Sequence, residues 1–377
     1  MKKLVISKCD EYNWEKIYNI ILSQLSVLDI TSKIKNKKVL LKPNLLAAHL
    51  PQEAVTTHPE FLRAVIKLFK ERNNEVVVGD SPSTTNFDEV VLKTGIKKVY
   101  EEEQVELINL STYPTTEFEF NKFGCKKLVV SKIVTEVDFV INLPKLKTHS
   151  LTILTCGMKN MYGIVPGLTK SLYHKYAPHP SDFLEILYAV YSFRPPDLTI
   201  VDGVIGMDGE GPAGGNPKKF SLILTSEDAT VIDYFVVKSL FKLPDYLLTK
   251  NKYLNKPSEI VFLGVSNKEI ESIEVVLPQT ISVINYFPKI ILDVIKPLIW
   301  FRPKIVQKLC KRCGKCYQIC PQKTIRKIGG RYFIDYKNCI TCFCCSETCP
   351  YKSIKIEKSF SYKIFVVAKQ IFKFLTK

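Results

Sequence analysis

The sequence predicts a large α/β domain, with a mostly parallel sheet and flanking helices, followed by a small α+β module rich in cysteine. Apolar strand-like runs alternate with amphipathic helix-like runs over about the first 280 residues, a pattern typical of helix-covered parallel sheets. Nine of the 12 cysteines lie between Cys310 and Cys349. The 377 residues, 46% hydrophobic and 24% charged, suffice for two or three domains with a real core.

The α/β domain is predicted over residues 1–284. Its strand candidates are Lys38–Lys42, Glu75–Gly79, Phe139–Leu143, Leu198–Val201 and Phe220–Leu224, and its helix candidates include Pro59–Arg72 and Ser181–Phe193. In the first of these helices the apolar residues share one face. The proline at its start fits the first turn of a helix, where a missing backbone N–H costs nothing.

Polar residues follow four of the predicted strands, and they define the candidate ligand site of this domain. These segments are Lys42-Pro43-Asn44, Asp80-Ser81-Pro82, Lys145 through His149, and Asp202-Gly203. Ligands of open α/β sheets bind beyond the carboxyl ends of the strands, so we expect these segments to meet around a ligand.

The residue types suggest an anion site with a proton donor. The catalytic candidates are Lys145, Lys147, His149 and Asp202, and the ligand-binding candidates are Lys42, Asn44, Asp80, Lys159 and Asn160. Lysines suit a carboxylate or phosphate, and a histidine can donate a proton near neutral pH. The aspartates could act as a base, a metal ligand or a partner for the lysines. Taken singly, each residue also has a structural explanation: a solvated lysine, a hydrogen-bonded histidine or an aspartate that caps a turn.

A glycine-rich run and three separate cysteines are further candidates for chemistry in the α/β domain. Gly209 to Gly214 formally matches GxGxxG, but prolines and a strand-like run follow instead of a helix, so we reject a dinucleotide site there. A backbone loop that closely approaches a ligand fits better. No P-loop, GxSxG or HExxH motif occurs. Cys156 is a candidate thiol in the same pocket, whereas Cys9 and Cys125 are expected to be small buried residues.

Two cysteine runs dominate the C-terminal module. The first is Cys310, Cys313, Cys316 and Cys320 followed by Pro321, and the second is Cys339, Cys342, Cys345 and Cys349 followed by Pro350. Both have the spacing CxxCxxCxxxCP, and each ligand of the second lies 29 positions after its counterpart. Such runs hold [4Fe–4S] clusters, with the fourth cysteine of each run turned towards the other cluster.

Because the fourth cysteine of each run binds the other cluster, one cluster is expected on Cys310, Cys313, Cys316 and Cys349. The second is expected on Cys339, Cys342, Cys345 and Cys320. Thr324-Ile325 answers Ser353-Ile354, so the repeat extends beyond the ligands and implies a pseudo-twofold. Cys344 falls outside the ligand spacing and is expected not to bind iron. Paired CxxC motifs can also hold zinc, but four ligands per zinc give no reason for this repeat. Arg331–Ile334, after two glycines, is predicted as one strand of a hairpin.

Two family resemblances follow from these motifs. The module, predicted over 305–358, resembles the bacterial-type two-cluster ferredoxins. The α/β domain resembles the DUF362 family over roughly residues 38–265, in Lys42-Pro43-Asn44, Val76–Pro82, Leu143–Gly163 and Val201–Gly215. Members of that family often carry a ferredoxin module at the C-terminus. The resemblance implies this fold and domain order but no reaction.

The basic charge belongs to the C-terminal quarter. Residues 286–377 contain 20 basic and 4 acidic residues, whereas residues 1–285 contain 34 and 33. Such a surface favours an acidic electron-transfer protein, an anionic membrane face or nucleic acid, or it only aids solubility. Nucleic acid is not expected, because no aromatic stacking platform is interleaved with the basic residues.

The remaining segments bear on membranes and compartment. A connector over 285–304 is predicted to be helical, and 359–377 a basic amphipathic helix that either touches an anionic membrane peripherally or packs on the protein. No transmembrane segment or secretion signal is predicted, and cysteine-rich metal ligation points to a reducing cytoplasm.

Two functional hypotheses emerge. The first is an iron–sulfur redox enzyme whose clusters relay electrons to an anionic substrate or cofactor at the strand ends of the α/β domain. The second is a non-enzymatic electron carrier or maturation protein that docks an acidic redox partner.

Overall fold

The computed structural model describes residues 2–82, 86–243, 252–279, 298 and 300–362. Within these residues, the strands of the α/β part are β1 Lys3–Lys8, β2 Lys38–Pro43, β3 Glu75–Asp80, β4 Glu106–Asn109, β5 Thr115–Lys122, β6 Cys125–Ser131, β7 Phe139–Leu143, β8 Lys145–His149, β9 Ile153–Thr155, β10 Leu198–Asp208, β11 Asn216–Ser226 and β12 Glu259–Leu263. Ten of them form one sheet in the order β12-β1-β11-β10-β7-β2-β3-β4, in which β8 pairs with β10 and β9. Strands β5 and β6 form a separate antiparallel hairpin.

Helices cover both faces of this sheet. In the described residues they are α1 Trp14–Val27, α2 Pro59–Lys70, α3 Phe87–Lys93, α4 Ile96–Glu102, α5 Ile133–Glu136, α6 Gly157–Asn160, α7 Thr169–Tyr176, α8 Pro180–Phe193, α9 Ala229–Phe235 and α10 Asn267–Glu271, with 3₁₀ turns at Pro51–Glu53 and Met161–Ile164 and a π turn at Val236–Leu240. Helices α1 and α2 pack in one apolar core, and α8 packs in another on the opposite face.

The central strands form around short apolar runs, Val39–Leu41 in β2 and Phe139–Ile141 in β7, and a polar residue follows each run. In β2 and β7, all residues after the first are buried, as expected for parallel strands covered on both faces. Helix α2 buries its apolar face, and His58 Nδ1 accepts a hydrogen bond from the Glu60 backbone N–H at its start. The predicted α/β fold with a mostly parallel sheet is therefore confirmed.

One predicted loop is a strand. Lys145–His149 was expected just past a strand, but it forms β8, which pairs in parallel with β10 and antiparallel with β9. All five of its residues are buried. The alternation of lysine with apolar and small residues hides this strand, because buried strands are normally apolar.

The cysteine-rich module contains two small antiparallel sheets. Strand β13 Phe301–Ile305 pairs with β16 Ile354–Lys358, and β14 Ile325–Ile328 pairs with β15 Arg331–Ile334 in the predicted hairpin. Short helices follow each cysteine loop, α11 at Lys315–Ile319 and α12 at Cys344–Glu347. The helical prediction for the connector is wrong over Phe301–Ile305, where alternation of buried and exposed residues fits the pairing with β16. The rest of the connector, apart from 298 and 300, and residues 363–377 of the predicted C-terminal helix lie outside the described residues.

The backbone repeats as the sequence does. Arg312 and Thr341, 29 positions apart, have φ of 57° and 53°. Gly314 and Phe343 have φ of 79° and 60°, at the starts of α11 and α12. Left-handed backbone is costly for residues other than glycine, so its recurrence at equivalent places supports a loop shape imposed by a common ligand geometry.

Candidate functional site

A cavity lies where the carboxyl ends of the parallel strands meet the cysteine-rich module. Its volume is about 80 Å³, counted as the space open to the centre of a water molecule. One water needs about 10–15 Å³ on that measure, so a ligand of several non-hydrogen atoms fits. The α/β side supplies Asn44, Asp80, Ser81, Lys147, His149, Thr155, Lys159, Asn160, Tyr162, Gly163, Lys170, Ser171 and His174, among others, and the module supplies Ile319, Cys344 and Glu347.

Lys147 is held by a chain of amides that crosses the strand ends. Its Nζ donates to Asn44 Oδ1 at 2.8 Å and to the Val55 carbonyl at 2.6 Å. Asn44 Nδ2 in turn donates to Asn160 Oδ1 at 3.0 Å, and Asn160 Nδ2 donates to Asn142 Oδ1 at 2.8 Å. An ammonium has three N–H groups, so one donor of Lys147 is left for a ligand.

Three further polar atoms at the cavity lack a protein hydrogen bond. Thr155 Oγ1 and His149 Nε2 are buried and have no hydrogen-bond partner, although Nε2 lies 3.3 Å from Glu347 Oε1. Lys159 makes no hydrogen bond or ion pair with any described residue, and its Nζ lies 5.7 Å from the Phe183 ring centre. Buried polar atoms are usually hydrogen-bonded, so these atoms are available to bind a ligand or water.

Burial lowers the pKa of the cavity lysines. The pKa of Lys147 falls to about 7, mainly through burial and secondly through the charge of Lys145. Burial also lowers the pKa of Lys170 to about 7, and its Nζ donates to Ser81 Oγ at 2.9 Å and to the Ser81 carbonyl. The pKa of Lys159 is lowered by burial as well. A bound anion would favour the charged lysines and reverse these shifts.

His149 connects the two halves of the protein. Its Nδ1 accepts from the Leu151 backbone N–H at 3.0 Å, so Nε2 carries the proton that faces Glu347. Burial and the charge of Lys159 lower the pKa of His149 to about 4, which makes the ring neutral near pH 7. Burial alone would raise the pKa of Glu347, but His149 and Lys159 outweigh it and lower that pKa to about 2.

Lys42 and Asp80 form a buried ion pair at the floor of the cavity. Lys42 Nζ lies 2.9 Å from Asp80 Oδ1, and the Leu45 backbone N–H donates to Asp80 Oδ2 at 2.7 Å. Gly163 passes so close to this pair that a Cβ atom there would overlap both charged groups. Only glycine fits at position 163, because any side chain there would collide with the Lys42–Asp80 ion pair.

Lys145 and Asp202 lie apart from the cavity. Lys145 Nζ donates to Asp202 Oδ2 at 2.8 Å and to the Tyr12 hydroxyl at 2.6 Å, and both charged side chains are fully buried. Asp202 also accepts from Tyr12 and from the His58 backbone N–H. Because the two charges neutralise each other, neither is left for a ligand, and the ion pair instead joins β8 to β10. The structure brings together the other predicted site residues.

Most of the cysteines of the two runs lie in or against one small apolar core of the module. Burial and the charges of Cys349, Cys310 and Cys313 raise the pKa of Cys316, and burial and the charges of Cys342, Cys339, Cys316 and Cys320 raise the pKa of Cys345, so the fourth cysteine of each run lies near the other run. The second predicted set lines a common cavity with Phe343 and Ile325. Among the described residues, no three histidine, cysteine, aspartate or glutamate side chains are grouped closely enough to hold a single metal ion.

The crossed fourth ligands have matching hydrogen bonds. The backbone N–H of Thr324 donates to Cys320 Sγ, and that of Ser353 donates to Cys349 Sγ, both at 3.4 Å. The hydroxyls of the same residues lie 3.4 and 3.1 Å from those sulfurs. The Thr–Ile and Ser–Ile repeat noted in the sequence therefore serves the ligands directly, and donors of this kind fit a cluster-bound thiolate.

Two further cysteines differ in their surroundings. Cys156 is fully buried in an apolar core, and burial and the charge of Asp233 raise its pKa well above the usual value. It does not line the cavity, so the structure does not support the predicted pocket thiol. Cys344 does line the cavity, and its neighbours in the chain include the ligands Cys342 and Cys345.

Sequence reasoning missed Lys170, Thr155, His174 and Glu347. Lys170 and His174 lie on α7, between the motifs Leu143–Gly163 and Val201–Gly215 that the sequence singled out. Glu347 is recognisable in the sequence, because it is one of only four acidic residues after 285. An acidic residue between cluster ligands in a basic module is unusual enough to mark an internal contact.

The matched part of the chain identifies its family. A family model described as a domain of unknown function (DUF362) matches residues 39–238. The chain belongs to the DUF362 family. A second model, a 4Fe-4S dicluster domain, matches residues 302–350. The C-terminal module of this DUF362 protein is therefore an iron–sulfur electron-transfer domain that carries 4Fe-4S clusters.

Relatives add little about activity. A thylakoid-associated protein of Synechocystis sp. is 34% identical over 209 residues, which cover 55% of this chain and 63% of that protein, so the match spans less than two thirds of the relative. The lactate racemase apoprotein from Thermoanaerobacterium thermosaccharolyticum is 14% identical with a TM-score of 0.39, covering 62% of this chain and 57% of that one. A Thermotoga maritima protein is 15% identical with a TM-score of 0.37, covering 56% and 54%. None of these likenesses assigns a reaction to this DUF362 protein.

In the part of the chain that the structure describes, no helix is both long and apolar enough to cross a bilayer. None of the twelve cysteines, all of which lie in the described residues, forms a disulfide.

Proposed function

We propose that this DUF362 protein is a redox enzyme that holds two [4Fe–4S] clusters and passes electrons from them to an anionic substrate or cofactor in the cavity between its two parts. The observation that carries this proposal is the shared lining. Lys147 and Lys159 face the cavity from the α/β side, and Cys344, between two predicted ligands, faces it from the module. The site for the anion and the source of electrons are thus neighbours.

The charge of the cavity fits a small anion. Lys42 and Asp80 neutralise each other, which leaves Lys147, Lys159 and Lys170 against Glu347. Thr155 Oγ1 adds an unpartnered hydroxyl to the three ammonium groups. A carboxylate or phosphate group accepts hydrogen bonds from all of these donors, and a water-poor cavity strengthens each interaction.

Lys147 is better suited than His149 to supply a proton. The best general acid at neutral pH has a pKa near 7, which matches Lys147. The neutral His149 ring, with a pKa of about 4, has no extra proton to give, so it acts as a hydrogen-bond donor through Nε2. This reverses the roles expected from the sequence, where His149 was the proton donor.

When bound, the two clusters supply one electron at a time. The residues of this chain that would hold them are the two crossed cysteine sets, whose sulfurs accept hydrogen bonds from Thr324 and Ser353. Cysteines that ligate iron rather than pair in disulfides accord with a reducing compartment, for which we propose the cytoplasm.

Anion binding to the intact holoprotein tests the proposal. The protein would be purified without oxygen, its co-purifying small molecules identified by mass spectrometry, and the ligand-free form titrated with sulfate and with acetate by calorimetry. We expect Lys159→Gln to weaken binding of at least one anion by about tenfold, the loss of one charge-assisted hydrogen bond. The exposed Lys35 lies near the opposite end of the sheet, so Lys35→Gln is the matched control.

The visible absorbance of the iron–sulfur clusters should be the same in both variants. Equal affinities in Lys159→Gln and the control would contradict an anion site in this cavity. A co-purifying molecule that is oxidised or reduced when the clusters change state would identify the substrate or cofactor.

A further inference from the structure

We propose that an acidic electron-transfer protein docks on the Cys313 face of the module, which we define as Lys308, Leu309, Lys311, Arg312, Cys313 and Tyr317. Electrons then enter at the cysteine set that contains Cys313 and leave from the other set towards the cavity. This proposal rests on the electron relay proposed above, and it adds the partner and the direction.

Exposure distinguishes Cys313 from the other predicted ligands. Cys313 is exposed, whereas the remaining seven ligand cysteines are buried or half-buried. Electron transfer between proteins slows steeply with distance, so a donor gains most by contacting the ligand nearest the surface. The set Cys310, Cys313, Cys316 and Cys349 is therefore the entry side.

The chemistry of the face fits an acidic partner. Lys308, Lys311 and Arg312 are exposed, and none of them forms an ion pair with another residue in the described ranges. Leu309 is 46% exposed and Tyr317 is 52% exposed. Exposed apolar side chains with unpaired cations beside them suit a small, transient interface in which charge steers the encounter.

The other side of the module is covered by the α/β domain. Glu347 Oε1 lies 3.3 Å from His149 Nε2, and Lys352 Nζ lies 3.4 Å from Glu53 Oε1. Cys344, which lies between Cys342 and Cys345 of the second set, lines the cavity. A protein donor cannot reach that side without displacing the α/β domain, so the direction from the Cys313 set to the cavity follows.

An acidic protein fits this face better than an anionic membrane. Two exposed apolar side chains offer little area for insertion into lipid, whereas binding strength at a membrane scales with the buried apolar area. An exposed cluster ligand also suits a partner that donates or accepts electrons, and a lipid surface does neither.

Charge reversal on the face provides the test. Full-length holoprotein would be mixed anaerobically with a reduced, acidic plant-type ferredoxin, and cluster reduction followed by stopped-flow absorbance at low ionic strength. We expect Lys311→Glu to slow the reduction by roughly tenfold, because electrostatic steering changes association rates by about 10 to 1,000-fold. Added salt should remove most of the difference.

Two controls separate docking from cluster damage. Lys35→Glu makes the same charge change near the opposite end of the sheet and should leave the rate unaltered. Reduction by methyl viologen radical, a small cation, should not be slowed by Lys311→Glu. Equal rates for Lys311→Glu and Lys35→Glu with ferredoxin would overturn the proposal, and so would equal slowing with viologen.

Vesicle binding tests the alternative that the Cys313 face binds a membrane. If vesicles containing anionic lipid bind the protein in a Lys311-dependent way while ferredoxin reduction is insensitive to Lys311→Glu, the face is a membrane surface and the proposal fails. Sulfate and acetate binding in the cavity needs no protein donor, so the docking face and the proposed function can fail separately.

Discussion

At the scale of single residues, two lysines two positions apart in β8 have opposite surroundings. Lys145 is paired with Asp202 inside the protein, and Lys147 hydrogen-bonds to neutral acceptors beside the cavity. Both side chains lie on the same face of the strand, because residues at i and i+2 share a face, so the difference comes from the partners that each lysine meets. The pairing with Asp202 is what separates a structural lysine from a ligand-binding one.

The buried pair makes a prediction about stability. Lys145→Met leaves the Asp202 carboxylate buried without its counter-charge, and we expect a loss of about 3–5 kcal/mol in the free energy of unfolding. Urea unfolding followed by circular dichroism measures it. Adding Asp202→Asn to that variant should recover part of the loss, since it removes the uncompensated charge. If Lys145→Met were as stable as the wild type, the pair would have no structural role.

The cavity lysines predict how anion binding depends on pH. Lys147 and Lys170 have pKa values lowered to about 7, so both are charged below pH 7 and lose their protons as the pH rises through that value. Sulfate keeps its charge throughout, so its affinity should fall from pH 6 to pH 9 for this reason alone. Calorimetry across that range measures the fall.

Lys147→Met is the informative variant for this pH series. It should bind sulfate more weakly at pH 6 and show a shallower decline above pH 7, because one titrating group is gone. A decline as steep as that of the wild type would show that Lys147 does not titrate in the cavity.

At the scale of elements, the two cysteine loops are copies in sequence, backbone angles and hydrogen bonds. Phe343 adopts the left-handed backbone that Gly314 adopts in the first loop, despite the cost of a side chain there. Burial of the Phe343 side chain at the module interior offsets that cost. The loop shape is conserved within the molecule because each loop surrounds an equivalent set of sulfurs.

The hydrogen bonds of the loops predict cluster potentials. A donor to sulfur stabilises the reduced, more negative cluster, so its removal lowers the reduction potential. Ser353→Ala removes the hydroxyl 3.1 Å from Cys349 Sγ, and we expect a drop of about 20–60 mV in one of the two potentials, equivalent to a hydrogen bond of about 1 kcal/mol. Anaerobic potentiometric titration measures it.

Thr324→Val is the matched change in the other loop, at a longer distance of 3.4 Å. It should shift the other cluster by a smaller amount. A shift of both potentials by the same amount in each variant would contradict the assignment of Cys320 and Cys349 to different clusters.

Regular elements were predictable from the sequence where local chemistry decides them. The helix Pro59–Lys70 follows from an apolar face and the strand Phe139–Leu143 from a short apolar run, and the cysteine sets follow from spacing. Strand β8 was missed because its lysines are buried by partners that lie far away in sequence, such as Asp202. The cavity residues Lys170 and Glu347 come from elements that meet only in the folded protein, so no local pattern could place them together.

At the scale of the whole molecule, the cavity depends on both parts of the chain. Contacts that join the parts include Lys315 with Glu89 at 3.0 Å and Lys352 with Glu53 at 3.4 Å, besides His149 with Glu347. Partly exposed pairs of this kind contribute little energy singly. They serve to align the module so that it closes the cavity.

Because the module closes the cavity, we expect a cluster cysteine that does not itself line the cavity to control anion binding. Cys345→Ser should lower the iron content from about eight atoms per chain to about four or fewer, and it should loosen the loop that carries Cys344 and Glu347. With that wall displaced, water reaches Lys147 and Lys159, and their attraction for an anion weakens because the local dielectric rises. We therefore expect sulfate affinity to fall about tenfold although every lysine is retained. Cys125→Ala, which removes a free thiol of the α/β domain, should change neither iron content nor affinity; unchanged sulfate binding in iron-depleted Cys345→Ser would mean that the α/β domain forms the anion site alone.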